Sequence, residues 1–189
     1  MIAATALAGA LALPARADAP EACLSPADDI GALVAALEAE GWTALPQGDL
    51  PPEAADRLAW PFVAAYVLSD SGGQTIAQLY ELQRRTVEGL TRRRDVPGSA
   101  IRLLTRSDGA MMVTVRDVAG GVELRCRVAL DGGARAPVTF LAEIPRRGEG
   151  IEIVTTRLNP EKLSGVIDAP VTVAEIVETR LTYDPEDGS

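Results

Sequence analysis

The sequence of 189 residues contains no histidine, and this absence excludes several classes of chemistry. Without an imidazole there can be no Ser-His-Asp or Cys-His nucleophile system, no histidine-ligated zinc site and no imidazole acid-base catalysis. Lysine is almost absent as well, because Lys162 is the one lysine among eighteen basic residues. Any catalytic activity would therefore need carboxylates, Tyr, Ser, Arg or Lys162.

Long apolar runs are also scarce, and the clearest one is Ile2–Leu13. A run of this length is too short to cross a bilayer, which takes about 20 residues. Pro14 ends the run, and residues 15–17 supply the small-x-small pattern that signal peptidases cut after, although no Lys or Arg precedes the run. We expect a signal peptide over residues 1–17, cleaved near Ala17, and a periplasmic or extracellular protein. The alternative is a buried core helix.

A cysteine lies just beyond the expected cleavage site, which raises the question of a lipid anchor. The residues before Cys23 are Pro20, Glu21 and Ala22, and a charged Glu does not resemble the small-residue lipobox of bacterial lipoproteins. We therefore expect a soluble mature chain with no transmembrane span.

The composition of the chain is that of an ordinary globular protein, with 47% apolar and 24% charged residues. The length after cleavage suits a single domain over residues 18–189. The strong preference for arginine over lysine is typical of a GC-rich bacterial genome. The compartment would then be the periplasm or the medium, and both permit disulfides.

Two cysteines, Cys23 and Cys126, leave one possible intramolecular bridge. In an oxidising compartment we expect them to be joined, closing a loop of roughly a hundred residues and stabilising the fold by about 4 to 5 kcal/mol in the chain-entropy model. Two buried, unpaired thiols are the alternative.

Helical periodicity is confined to the first half of the chain, over about 28–94. The apolar spacing predicts a helix over Asp28–Glu40, with Ser25 or Asp28 as N-cap and Gly41 as its end. Trp42 is expected to pack back on that end. Two further helices are predicted over about 52–68 and 74–93, the first kinked or broken by Pro61, with a turn at 69–73.

From residue 99 to about 184 the apolar period changes to two, which is typical of strands. Strands are predicted over 101–106, 110–118, 122–130, 138–144, 151–158 and 171–183, and the last could be helical over 174–179. Helices followed by consecutive strands indicate an α+β fold, with two to three N-terminal helices packed on one face of a five- to six-stranded, mainly antiparallel sheet.

The pair of strands around Gly120 and Gly121 allows a prediction of register. A two-residue turn at these glycines places Val115 opposite Cys126, which then points into the core, and Arg116 opposite Arg125. Like charges in direct opposition destabilise a strand pair, so an acid of a neighbouring strand, such as Glu143 or Glu152, would have to neutralise them.

A turn at Ala119 and Gly120 would instead pair Arg116 with Glu123. This alternative is disfavoured because Ala119 would need a positive φ.

Charge is concentrated in one segment, since residues 84–106 carry a net charge of +5 in a chain whose total is −9. A basic patch could hold an anionic small molecule, an envelope polymer or the acidic face of a protein. The alternative is that the arginines after the third helix offset the negative end of its dipole. The candidate anion- or partner-binding residues are Arg84, Arg85, Arg92, Arg93, Arg94, Arg116, Arg125 and Arg127.

Other motifs carry little chemistry. Nucleic acid is a poor ligand for so acidic a protein in this compartment. The sequence has no EF-hand pattern, no cofactor motif and no nucleophile elbow, and so predicts no cofactor, metal site or catalytic residue. We expect a non-catalytic binding or accessory protein. The alternative is a cell-envelope hydrolase that uses carboxylates or Tyr, because acid-base pairs meet in space and leave no sequence spacing.

Overall fold

The computed structural model describes residues 19–68, 75–93, 95–132, 141–148 and 150–184, with the backbone alone for Leu68 and for 141–148. The predicted signal peptide, the predicted turn at 69–73 and Arg94 lie outside the described residues. The described part of the chain forms a short 3-10 helix, Glu21–Leu24, and the helices α1 (Ile30–Ala39), α2 (Pro52–Leu68), α3 (Ile76–Leu90) and α4 (Pro160–Ile167).

Helix α1 begins one residue later than the capping prediction allowed. Asp29 is the N-cap, and its carboxylate accepts a hydrogen bond from the backbone N–H of Ala32 at 2.8 Å. The prediction of Ser25 or Asp28 was therefore wrong. Only Asp29 stands three residues before the backbone donor that its side chain satisfies.

The end of α1 agrees with the prediction. Gly41 adopts a left-handed φ of 88° immediately after the C-cap, and the backbone N–H of Trp42 donates to the carbonyl of Leu37 at 3.1 Å. The indole of Trp42 is buried in the same core cluster as Leu37. Trp42 thus closes the helix end over the sheet, a structural role.

Helix α2 continues through Pro61 as one helix, so a break does not occur, and the alternative kink stays a prediction. Proline in a helix interior costs about 3 kcal/mol. The residues around it, Ala59, Trp60, Val63 and Ala64, are all buried against the sheet and the other helices. Full burial of a side chain the size of Val63 stabilises by about 1.5 to 3 kcal/mol. Tertiary burial therefore outweighs the local cost.

Seven strands of the described part of the chain form one antiparallel sheet in the order β1-β2-β3-β4-β7-β6-β5. Six are long and β1 is a two-residue strand at one edge. Their bounds are β1 Thr43–Ala44, β2 Ser99–Arg106, β3 Gly109–Val118, β4 Gly121–Asp131, β5 Leu141–Gly148, β6 Ile151–Leu158 and β7 Val173–Tyr183. The last segment is strand throughout, so its helical alternative is wrong. The predicted strand over 138–144 lies at 141–148, and residues 138–140 are outside the described part.

The α+β prediction is confirmed, and both faces of the sheet carry helices. Helices α2 and α3 pack on one face, where their apolar side chains join those of Ala110, Met112 and Ala129. Helix α1 lies on the opposite face, in a cluster with Met111 and Val113. Adjacent residues of one strand point to opposite faces, so the alternation along β3 separates the two clusters.

The predicted disulfide joins Cys23 to Cys126 across a sequence separation of 103 residues. Both sulfurs are fully buried in the α1-side cluster. The bridge ties the 3-10 helix before α1 to the middle of β4. Cys126 points into the core, as the alternation along its strand predicts.

The predicted register of the β3–β4 hairpin is wrong by two residues. Val113, not Val115, lies opposite Cys126, and the turn residues are Ala119 and Gly120. The objection to this turn was a positive φ at Ala119. In the structure Gly120 and Gly121 take the positive φ values, 91° and 137°, and Ala119 takes none. A shift of two residues keeps every side chain on its face, so the alternation could not detect it.

Candidate anion-binding surface

Charged side chains cluster on the sheet face that carries α2, over strands β3, β4, β7 and β6. Arg127 marks where this cluster meets the helix, since its guanidinium lies 4.9 Å from the ring centre of Phe62 in α2. We name the cluster the arginine ladder. It consists of Arg116, Arg125, Arg127 and Arg180 with Glu123, Glu152 and Glu178.

Two arginines oppose each other at the centre of the ladder. Arg125 of β4 pairs directly with Arg180 of β7 in the strand register. Adjacent strands lie about 4.8 Å apart, so this juxtaposition is unfavourable unless carboxylates intervene. Glu178 approaches Arg125 at 3.4 Å, and Glu123 approaches Arg180 at 3.5 Å.

These central contacts leave hydrogen-bond donors unsatisfied. Within the described residues, Nε of Arg125 and Nε of Arg180 are buried and have no hydrogen-bond acceptor. A buried donor without an acceptor costs about 1 to 3 kcal/mol. Each central Nε therefore lies at ion-pair distance from a carboxylate without a hydrogen bond, so the centre of the ladder is less favourably paired than its outer members.

The outer members of the ladder are paired more tightly. Arg116 donates to Glu123 at 2.8 Å, and Arg127 donates to Glu178 at 3.1 Å. The register shift explains the first pair, because it brings Glu123 opposite Arg116.

An acid of a neighbouring strand does reach Arg125, as predicted, but among the described residues it is Glu178 and not Glu152. Strand β7 lies beside β4, so the acid that reaches Arg125 is Glu178. Glu152 contacts Arg180 instead, at 3.4 Å. The side chain of Glu143 lies outside the described part.

The ladder is partly shielded from water and carries excess positive charge. The side chain of Arg125 is 16% exposed and that of Arg180 is 43% exposed. Four arginines face three glutamates, which gives the cluster a formal charge of +1. Partial burial strengthens its interaction with an anion, because water screens the charges less.

The arginines of residues 84–106 do not form one patch. Arg84 donates to Asp56 of α2 at 2.7 Å and lies 3.3 Å from Glu88, so it holds α3 against α2. Arg102 donates twice to Asp95, at 2.7 and 2.6 Å. These hydrogen bonds hold the pKa of Asp95 below its ordinary value.

Arg106 is also engaged. It donates to Asp108 at 2.6 Å and lies 4.5 Å from the centre of the Trp42 ring. The bond to Arg106 lowers the pKa of Asp108.

The remaining predicted arginines are on the surface of α3 and beyond its end. Arg85, Arg92 and Arg93 are exposed and make no ion pair within the part of the chain that the structure describes. Arg92 and Arg93 follow the C-terminus of α3, where they also offset the helix dipole. Arg94 lies outside the described residues.

The hydrolase alternative could use a tyrosine, and the surroundings of Tyr80 oppose its action as a catalytic base. Its hydroxyl donates to Asp56 at 3.0 Å. Burial, and after it the neighbouring carboxylate, raises the pKa of Tyr80 above its ordinary value. The phenol therefore stays protonated at neutral pH. Among the described residues there is also no cluster of three metal-ligating side chains.

Arg180 and Glu178 are members of the ladder that sequence reasoning missed. Their signal was the alternation of the last strand, in which Glu178 and Arg180 share the face of the buried Ile176. That pattern places them on a face, and only the β4–β7 pairing brings Arg180 to Arg125.

No protein-family model, curated protein or solved structure matches this chain. Among the described residues, none of the helices has both the length and the apolar character that crossing a membrane requires.

Proposed function

We propose that this protein is an exported binding or accessory module of the bacterial periplasm or cell exterior, without catalytic activity. Its ligand is an anionic group of a small molecule, an envelope polymer or a protein partner, and the arginine ladder holds it. The observation that carries the proposal is the direct opposition of Arg125 and Arg180, whose buried Nε groups have no acceptor among the described residues.

An anion at the ladder would reduce two unfavourable features of its centre: the repulsion between Arg125 and Arg180, and the buried N–H groups that make no hydrogen bond. An oxyanion beside two guanidinium groups screens their repulsion and accepts hydrogen bonds from their N–H groups. Charge-assisted hydrogen bonds of this kind contribute about 1.5 to 3 kcal/mol each. The proposed export is supported by the apolar N-terminal segment and by the Cys23–Cys126 disulfide, which is suited to an oxidising compartment.

Arg180→Gln tests the ladder directly. The substitution lowers the formal charge of the cluster from +1 to zero, and Glu123 keeps its bond to Arg116. We expect the apparent affinity for heparin at low ionic strength to fall roughly tenfold, since a charge-assisted bond is lost. Retention on heparin across a salt gradient measures the effect.

Arg102→Gln is the matched control. Arg102 is 37% exposed against 43% for Arg180, and it also sits in an ion pair. It stands two residues before Leu104, which belongs to the core cluster on the α1 side, so the two side chains share that face of the sheet. The arginine ladder lies on the opposite face. Equal loss of retention in the two variants would count against the ladder, and the melting temperatures establish that both are folded.

A further inference from the structure

The C-terminal part of α2 runs towards the centre of the arginine ladder. In the first half of the helix, Arg57 donates to Asp131 at the end of β4. Further along the helix, the ring of Phe62 lies against the guanidinium of Arg127. The next residue of β4 on the same face is Arg125. The helix therefore advances along β4 from its end towards the central arginine.

Tyr66 lies on the side of α2 that faces the sheet. It stands four residues after Phe62 and three after Val63, and residues at these spacings share one face of a helix. Phe62 packs against the ladder, and Val63 belongs to the buried cluster that contains Ile176 of β7. Tyr66 is nevertheless 41% exposed. An inner-face side chain with this exposure has open space beside it, so the ring borders the ladder at an accessible place.

The ladder groups that water reaches carry both signs of charge. Arg180 is among the more exposed arginines, and the side chain of Glu152, 3.4 Å from it, is 37% exposed. Thr182 is exposed and shares the face of Arg180, two residues along β7. A guanidinium only donates hydrogen bonds, a carboxylate only accepts them, and a hydroxyl does both. The surface therefore offers donors and acceptors side by side, close to an aromatic ring.

This combination of groups suits a lightly charged ligand with hydroxyls better than a densely charged anion. Three glutamates lie among the four arginines, so each further negative charge on a ligand meets like charges as well as opposite ones. A sugar hydroxyl, by contrast, donates to a carboxylate and accepts from a guanidinium. The C–H side of a sugar ring is apolar and covers an aromatic side chain. One carboxylate on the sugar adds a charge-assisted bond to arginine.

We propose that the ligand of the arginine ladder is a saccharide of uronic acid units, and that one of its rings stacks on Tyr66. The inference rests on the proposed function, because the ladder is the same, and it selects one of the ligand classes named there. The carboxylate of one unit accepts from Arg180, and its hydroxyls donate to Glu152. The neighbouring unit covers the ring of Tyr66, which makes this residue a determinant of specificity.

Calorimetric titration with trigalacturonate tests the inference. We expect saturable binding, and roughly tenfold weaker binding of its methyl ester, which keeps the hydroxyls and loses the charge. Tyr66→Ala should weaken trigalacturonate binding roughly tenfold, because the ring contact is lost, whereas Tyr66→Phe keeps the ring and should bind as the wild type does. Val67→Ala is the matched control. Val67 is 36% exposed but points about 100° around the helix from Tyr66, so its loss should leave binding unchanged.

Full affinity in Tyr66→Ala, or equal binding of the acid and its methyl ester, would overturn the inference. Tetraglutamate that binds as tightly as trigalacturonate would also overturn it, because the ligand would then be an acidic peptide. In the wild-type protein the ring resonances of Tyr66 should shift during the titration, and constant resonances would contradict stacking whether or not Tyr66→Ala folds.

Inorganic phosphate separates this inference from the proposed function. Saturable phosphate shifts at Arg180 without any binding of trigalacturonate would reject the saccharide and leave the anion-binding ladder in place. Absence of both would reject the ladder itself.

Discussion

Removal of the Cys23–Cys126 bridge is expected to lower the free energy of unfolding by about 4 kcal/mol. The bridge closes a loop of 103 residues, and the chain-entropy model assigns about 4.7 kcal/mol to a loop of roughly this length. Both sulfurs are fully buried, so the bridge is part of the core as well as a crosslink. The variant Cys23→Ala with Cys126→Ala, unfolded in urea, measures the loss, and its melting temperature should fall by roughly 10 °C.

A control separates the crosslink from the loss of packing in this variant. Wild-type protein that is unfolded, reduced and refolded under reductant keeps both sulfur atoms but lacks the bond. We expect most of the loss to appear there too, because the entropy of the unfolded chain depends on the crosslink alone. Stability equal to that of the oxidised protein in both samples would contradict this role.

Trp60→Ala is expected to destabilise the protein by about 3 to 5 kcal/mol, the range for loss of a large aromatic side chain from a core. The side chain is 2% exposed, and its ring centre lies 5.1 Å from that of Tyr80. Its burial also helps α2 to continue through Pro61. Urea unfolding followed by circular dichroism gives the free energy.

Leu82→Ala is the control for this substitution, because Leu82 is 46% exposed on α3. Its effect should stay within about 0.5 kcal/mol, as for most surface substitutions. Similar losses for the two variants would mean that Trp60 does not anchor α2 to the sheet.

The class of the fold follows from patterns that a single sequence contains. The change of apolar period near residue 99 separates the helices from the long strands, and Gly41 and Cys126 behave as their local patterns predict. Helix α4 was missed, although Asn159 caps it and Pro160 occupies its first turn. Its eight residues fall between two strands, where a turn was the simpler interpretation.

The details that failed depend on energies that the local pattern does not contain. The hairpin register depends on which of Ala119, Gly120 and Gly121 adopt positive φ values. Both candidate registers keep every side chain on the same face of the sheet. The continuity of α2 through Pro61 depends on tertiary burial.

The sequence predicted only part of the candidate site. Arg116, Arg125 and Arg127 could be placed on one face by alternation, but their partners are set by the neighbouring position of β4 and β7, which are separated along the chain. For the same reason the net charge of residues 84–106 wrongly suggested a single basic patch. Asp56 and Asp108, from outside the segment, pair with two of its arginines, and Asp95 within it pairs with a third.

The central claim is that the ladder holds an anion between Arg125 and Arg180. Titration of protein labelled with ¹⁵N in its arginine side chains with inorganic phosphate, followed by the Nε–H resonances, tests it most directly. We predict saturable shifts of the Arg125 and Arg180 resonances, while that of Arg102 stays constant because Asp95 already occupies it. Uniform small shifts of all arginines, without saturation, would contradict the claim.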